Sequence, residues 1–329
     1  MTRRRAPDPL EGRLAALQAL RNQPGQPDAP EAVAELRAAL ENRSAHAIAK
    51  AAEIAGEWEL TALEPELAAA FERLLVDPAR TDKGCVGKTA VAEALVRIGA
   101  ERAELYRTGA GHVQLEPVWG GRADTAARLR AACAMGLVRM ADRHAYDVAA
   151  ALLVDPEAPA RMGAAEALGH GAALVATPLL RMKALAGDVE GRVVGECFAS
   201  LLRLAPEASL PFVSGFLDAR ASEVQEAAAF ALGESQLEGA LAALRAYRER
   251  ADDGGRIALL AIALLRRDDA LDYLVTLVGT AAPRTARLAL DALAAPCERT
   301  AVRERVLRAV QGREDAALAA EGEALRPRE

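Results

Sequence analysis

The chain has 329 residues, 52% of them hydrophobic but only 3% aromatic, so its interior is built from alanine and leucine and suits closely packed helices better than a bulky globular centre. Its 41 Lys and Arg against 47 Asp and Glu leave a net charge of −6, which gives no overall attraction for a polyanion and makes nucleic acid an unfavoured partner. The four cysteines, Cys85, Cys133, Cys197 and Cys297, match neither a zinc-ligand spacing nor a compact disulfide framework, and no run of about eighteen apolar residues is present to cross a membrane.

Residues 1–9 read as a disordered arm. Arg3, Arg4 and Arg5 precede an apolar segment, but Glu11, Arg13 and Gln18 interrupt it, so it lacks the centre of an export signal and a reducing cytoplasm is expected. Leu10 to Arg21 predicts a short helix, Pro24-Gly25-Gln26-Pro27 a break, and Pro30 to Leu40 a second helix with proline in its first turn, where a missing N–H costs nothing. Residues 1–43 are therefore read as an arm with capping helices, 44–311 as one continuous repeat domain, and 312–329 as a tail.

Through 44–311 one alanine-rich pattern recurs eight times, with no strand signal. A small-residue column falls at Ile54, Ala94, Ala134, Ala167, Ala199, Ala231, Ala263 and Ala292, with spacings between 29 and 40 residues. Helices of a first kind, A, are predicted near 44–56, 86–98, 123–138, 158–169, 189–204, 221–233, 255–266 and 283–294. Their partners, the B helices, are predicted near 62–75, 101–107, 143–153, 174–186, 207–218, 238–250, 269–279 and 299–311. Asp77-Pro78, Asp155-Pro156, Gly187-Asp188, Asp252-Asp253-Gly254-Gly255 and Ala282-Pro283 mark turns between pairs. Each A helix must touch its own B helix and both neighbouring repeats, so small residues let the axes approach closely. The fold class expected is all-α: a right-handed α-solenoid, or α-α superhelix, of about eight helix pairs.

Within Asp155 to Gly169, Arg161 precedes the run Ala164-Ala165-Glu166-Ala167-Leu168-Gly169, and this segment resembles the HEAT-like repeat of the phycobilin-lyase type. Val224 to Gly233 repeats the pattern, and Arg128 to Gly136 follows it more loosely. The resemblance covers roughly 44–311. It implies a HEAT-like solenoid, a fold shared by pigment lyases, DNA-repair glycosylases and bacterial adaptors.

Four groups of residues stand out as candidates. Gly84-Cys85-Val86-Gly87-Lys88-Thr89 imitates the end of a phosphate-binding loop, but Asp82 stands where that pattern needs glycine. Lys88 also precedes its column residue by six, as Arg128 and Arg161 do, so the repeat itself accounts for it. The second repeat is about eight residues longer than its successors, and the extra segment, 108–121, gathers His112, Gln114, Glu116 and Trp119 between glycines as a candidate partner-binding loop, the alternative being a packed loop whose Trp119 fills a gap. One residue before the column, Glu53, Glu93 and Glu166 suit solvent, whereas Phe198, Phe230 and Ile262 would form an apolar stripe for a partner or a second copy unless superhelical twist buries them. Arg181, Lys183, Arg245, Arg248 and Arg250 on B helices are candidates for phosphate binding, interleaved with acidic residues.

No catalytic, metal or cofactor site is indicated. His46, His112, His144 and His170 form no close metal-ligand pair, and Asp142, His144 and Asp147 read as the polar start of a B helix. The functional expectation is a non-enzymatic protein-interaction scaffold or adaptor in the cytoplasm, with another protein as partner and self-association open. Two alternatives stay beside it: a DNA-binding or DNA-repair solenoid, and a bilin-lyase-like protein marked by a reactive thiol.

Overall fold

The structure is a computed structural model and describes residues 9–22, 25, 28–250, 255–313, 315, 318 and 320–322. Residues 1–8 of the predicted arm, most of the 24–27 break, Asp252 to Gly254 and most of the 312–329 tail lie outside the described residues. The chain forms two compact units, 1–179 and 180–329.

The first unit runs through α1 (Pro9–Asn22), α2 (Pro30–Leu40), α3 (Ala45–Glu57), α4 (Glu64–Leu74), the short α5 (Pro78–Thr81), α6 (Val86–Arg97) and α7 (Ala103–Ala110). Two strands follow, β1 (Leu115–Val118) and β2 (Gly121–Asp124), then α8 (Ala127–Arg139), α9 (Ala145–Leu152), α10 (Ala158–Leu168) and α11 (Ala173–Ala186), in which the unit boundary falls. The second unit continues with α12 (Gly191–Leu204), α13 (Pro206–Ser214), α14 (Ser222–Glu234), α15 (Glu238–Arg250), α16 (Arg256–Leu264), α17 (Asp268–Thr280), α18 (Pro283–Ala292) and α19 (Thr300–Gln311). Each predicted A and B helix from residue 44 onward is present, with ends displaced by a few residues. The fold is an all-α solenoid of HEAT-like helix pairs.

Close contact between neighbouring A helices explains the alanine columns. In the first unit α3, α6, α8 and α10 pack side by side, and in the second α12, α14, α16 and α18 do the same. A Cβ built on Gly163 of α10 would stand 2.1 Å from the Cβ of Ala131 in α8, and one on Gly233 of α14 would stand 2.4 Å from the carbonyl oxygen of Ala261. Backbones this near leave room for hydrogen or methyl and nothing larger. Ala51, Ala52, Ala92, Ala164, Ala165, Ala228, Ala229 and Ala261 are accordingly buried, with leucines such as Leu95, Leu168 and Leu232 filling the space toward the B helices.

Two expectations need correction. The enlarged second repeat holds no simple loop, because β1 and β2 pair antiparallel in the register Leu115↔Asp124, Glu116↔Ala123, Pro117↔Arg122 and Val118↔Gly121. Trp119 and Gly120 make the turn, with Gly120 at φ 89, a conformation glycine adopts without steric cost. Strands of four residues interrupted by proline carry too little alternation to read as strands. The repeat register is also displaced by two residues in α8: Arg130, not Arg128, plays the part of Lys88 and Arg161. Arg128 has a side chain 76% exposed, whereas that of Arg130 is 4% exposed.

Candidate functional site

The polar chemistry of the first unit is organised as a ladder between consecutive repeats. In the turn before α6, Gly84 and Cys85 take left-handed backbone conformations, at φ 76 and 55. This places the Asp82 carboxylate under the first turn of α6, where it accepts from the backbone N–H of Gly87 at 2.8 Å and of Lys88 at 2.9 Å. The Lys88 ammonium folds back to donate to Asp82 at 2.9 Å and to the Leu74 carbonyl at 3.3 Å, and both side chains are fully buried. A lysine so committed is unavailable to a phosphate, and Asp82 is a structural partner rather than a blemish in a phosphate loop.

Six residues separate Asp82 from Lys88, and the same interval recurs. Arg130 donates to Asp124 at 2.7 Å, and Arg161 donates to the Asp155 carbonyl at 2.8 Å. Arg130 also grips Asp155 with two parallel bonds of 2.9 Å, tying one repeat to the next in a bidentate pair of the strong, directional kind. Gln225 in α14 of the second unit keeps the interval with a neutral bond to the Ala219 carbonyl at 2.6 Å.

The hairpin hangs from this ladder. Gln114 is buried and donates to the Asp82 carbonyl at 2.8 Å and to Glu116 at 2.6 Å. Oε1 of Glu116 also accepts from the Gly84 backbone N–H at 2.6 Å and the Thr125 hydroxyl at 3.0 Å. Burial pushes the Glu116 carboxyl up, but hydrogen bonds from Gln114, Gly84 and Thr125 outweigh it and hold the group below its ordinary 4.5. Asp124 is likewise raised by burial and, more strongly, lowered by the backbone N–H groups of Ala126 and Gln114 and by Arg130. His112 is half-buried; its Nε2 lies 3.3 Å from Oε1 of Gln114, and desolvation lowers its pKa.

The four loop candidates are thus brought into one element but divided in task. Gln114 and Glu116 brace the hairpin from within and His112 lies at its root, while Trp119 at the tip is fully exposed. Leu115 and Val118 are each half exposed beside it. Trp119 fills no gap between repeats.

The apolar stripe does not exist as a surface. Phe198 is fully buried, its ring 4.7 Å from that of Phe216, which in turn lies 5.2 Å from Phe212, so the short connection after α13 closes over it. Ile262 is also fully buried. Phe230 alone reaches an open surface, where with Leu260, Leu264, Leu271 and Pro296 it lines an apolar groove of about 570 Å³ rimmed by Arg266, Asp291, Glu298 and Arg299.

The five basic candidates are occupied within the chain. Arg181 lies over the Phe212 ring at 4.9 Å and donates to the Ala208 carbonyl, and Lys183 pairs with Asp188 at 2.7 Å. Arg245 and Arg248 both lie over Tyr273, at 4.5 and 5.8 Å, and Arg250 pairs with Asp218 at 2.9 Å. All four cysteines are buried; desolvation raises each thiol, Cys85 to about 11 and Cys197 to about 12. Among the described residues no group of three His, Cys, Asp or Glu is placed to hold a metal, and no helix is long and apolar enough to cross a membrane.

No protein family and no curated protein sequence matches the chain. Several solved structures align with it at low identity. The Escherichia coli protein YibA is 13% identical, with 94% of this chain and 100% of that one aligned at a TM-score of 0.44. The complex of CpcE and CpcF of phycocyanin lyase from Nostoc sp. PCC7120 is 18% identical over 80% of this chain and 94% of that one, at 0.39. Human deoxyhypusine hydroxylase is 20% identical over 79% and 92%, at 0.31.

Proposed function

We propose that the chain is a non-enzymatic scaffold of the cytoplasm that holds a partner protein, and that the partner lies in the groove beside Phe230. The observation carrying this reading is an open apolar groove rimmed by charges of both signs. Such a surface fits one apolar face of a helix or an extended segment, with the rim charges setting its orientation. A catalytic role gains no support from the conspicuous polar residues, since Asp82, Lys88, Glu116, Asp124, Arg130 and Asp155 bond to one another or to backbone. A duplex-DNA role gains little from the five basic candidates, since Lys183 and Arg250 pair with acids and Arg181, Arg245 and Arg248 lie over aromatic rings, and a pigment-lyase role gains none from buried thiols with raised pKa.

The test is a photo-reactive residue in place of Pro296 at the groove edge, introduced in the native host. A discrete cross-linked protein is expected, lost when Phe230→Asp is added while the helical circular dichroism stays unchanged. The same cross-linked species at equal yield in the Phe230→Asp background would sink the assignment.

A further inference from the structure

We propose that the hairpin of β1 and β2 is a membrane-surface anchor, which seats Trp119 at the interface of an anionic lipid bilayer. Four large apolar side chains are exposed between positions 113 and 119: Val113 at 57%, Leu115 and Val118 at 50% each, and Trp119 at 103%, as open as in an extended peptide. Single exposed apolar residues are ordinary on a protein surface, but a cluster of them around an indole at the tip of a braced hairpin marks a contact surface. The bracing matters to binding. Gln114, Glu116 and Asp124 fasten the root to groups the repeat already holds, so the strands that carry the tip have little freedom left to lose when it is seated.

The occupant follows from charge and size. Of the three charged side chains between 113 and 124, Glu116 and Asp124 are turned into the chain, where Gly84, Gln114 and Thr125 hold the first and Arg130 the second. Arg122 alone stays exposed. Lys83, beside the Gly84 whose N–H reaches Glu116, is exposed as well, and among the described residues neither cation has an ion-pair partner. The chain as a whole carries −6, yet this hairpin presents an apolar tip accompanied by unpaired cations. That combination is complementary to an anionic bilayer, where an indole rests at headgroup level and each basic side chain near the surface strengthens binding by about fivefold. A protein partner is the poorer match, because a stable complex buries about 800 Å² on each side, whereas a tryptophan supplies about 150–250 Å² and the hairpin adds only three half-exposed aliphatic side chains. One indole and two cations make a weak, reversible contact of the kind that a second binding signal reinforces.

Sedimentation of the full chain with lipid vesicles tests the proposal, one set made of phosphatidylcholine alone and one with half of it replaced by phosphatidylglycerol. At low salt the chain is expected to sediment with the anionic vesicles, to bind the neutral ones about tenfold more weakly, and to be released as salt rises. Trp119→Ser is expected to weaken binding by about tenfold or more and Arg122→Gln by about fivefold, both with unchanged circular dichroism, because both side chains are exposed and folding does not depend on them. A chain that stays in the supernatant with anionic vesicles at low salt overturns the proposal, and so does Trp119→Ser sedimenting as wild type does. A photo-reactive residue in place of Val118, introduced in the native host, decides between lipid and protein. Labelled lipid is expected, and a discrete protein adduct in its stead overturns the membrane assignment. None of these results bears on the Phe230 groove, which lies in the other unit.

Discussion

Replacing Lys88 by methionine separates a structural lysine from a nucleotide-binding one. The variant keeps the length of the side chain but removes the ammonium, leaving the fully buried Asp82 carboxylate with two backbone donors and no counter-charge. At an effective dielectric of about 20, unit charges 2.9 Å apart attract by about 6 kcal/mol, a gain largely offset by the desolvation of both groups. Breaking one partner of such a pair typically costs about 3–5 kcal/mol, and the two remaining N–H bonds place Lys88→Met near the lower end. With a urea slope of about 3 kcal/mol/M, the midpoint followed by far-ultraviolet circular dichroism should fall by about 1 M. Adding Asp82→Asn removes the stranded charge while keeping an acceptor for α6, so the double variant should regain part of the loss. The expected coupling energy is about 2 kcal/mol, within the range for residues in direct contact. If Lys88→Met stays within about 0.5 kcal/mol of wild type, or the two substitutions simply add, the buried pair is not what holds the turn before α6.

Four further outcomes can be measured on the same unfolding curves or alongside them. Arg130→Met should cost about 3 kcal/mol by stranding Asp124 and Asp155, whereas Arg128→Met should change stability by no more than about 0.5 kcal/mol, and equal effects would refute the corrected register. Gly163→Ala should destabilise by about 1–3 kcal/mol through its clash with Ala131, although alanine is about 1 kcal/mol better than glycine in an isolated helix; a stabilised variant would mean that α8 and α10 are not in backbone contact. Glu116 and Asp124 have folded pKa values below 4.5 and 3.8, so their stabilisation is present above those values and lost as pH falls through the folded ones; the acid loss of midpoint should be shallower in Glu116→Gln. The Cys85 and Cys197 thiols run the opposite way, their contribution being intact below 9.0 and lost as pH rises toward about 11 and 12; iodoacetamide should modify the native chain slowly at neutral pH, and rapid labelling of either would count against their burial.

The helix pairs were legible because close packing writes itself as a recurring column of small residues, and the column persists although the spacing between its members varies. Phe198 shows where that legibility stops. Counting 100° per residue from the small-residue column puts it on the outer side, but the short connection after α13 brings Phe216 against it, backed by Phe212, a contact between residues that share no sequence period. The exchange of Arg128 for Arg130 has a different origin. Both arginines stand near the start of α8, and only the partner six residues earlier distinguishes them: Asp124 precedes Arg130, as Asp82 precedes Lys88 and Asp155 precedes Arg161. That acid-to-base interval was present in the sequence as a sharper mark of register than alanine. The groove beside Phe230 had no such mark, since Leu260, Leu271 and Pro296 come from separate elements.

The ladder also explains how the second repeat tolerates an insertion. A hairpin of two four-residue strands buries too little apolar surface to order itself, and isolated hairpins are marginal at best in water. Here Leu115, Val118 and Trp119 face solvent, so apolar burial is not what fixes it. Its order comes from Glu116 and Gln114 reaching the turn before α6, and from Asp124 reaching Arg130, all groups that the repeat already holds in place. An insertion that borrows hydrogen bonds from a pre-ordered ladder pays little further entropy for its base and leaves its tip and outer edge free. Truncating Glu116 to alanine should therefore loosen the hairpin without unfolding the solenoid: Trp119 fluorescence anisotropy should fall while the urea midpoint moves far less than in Lys88→Met. A joint collapse of both signals would show that the hairpin and the repeat stack are a single cooperative unit instead.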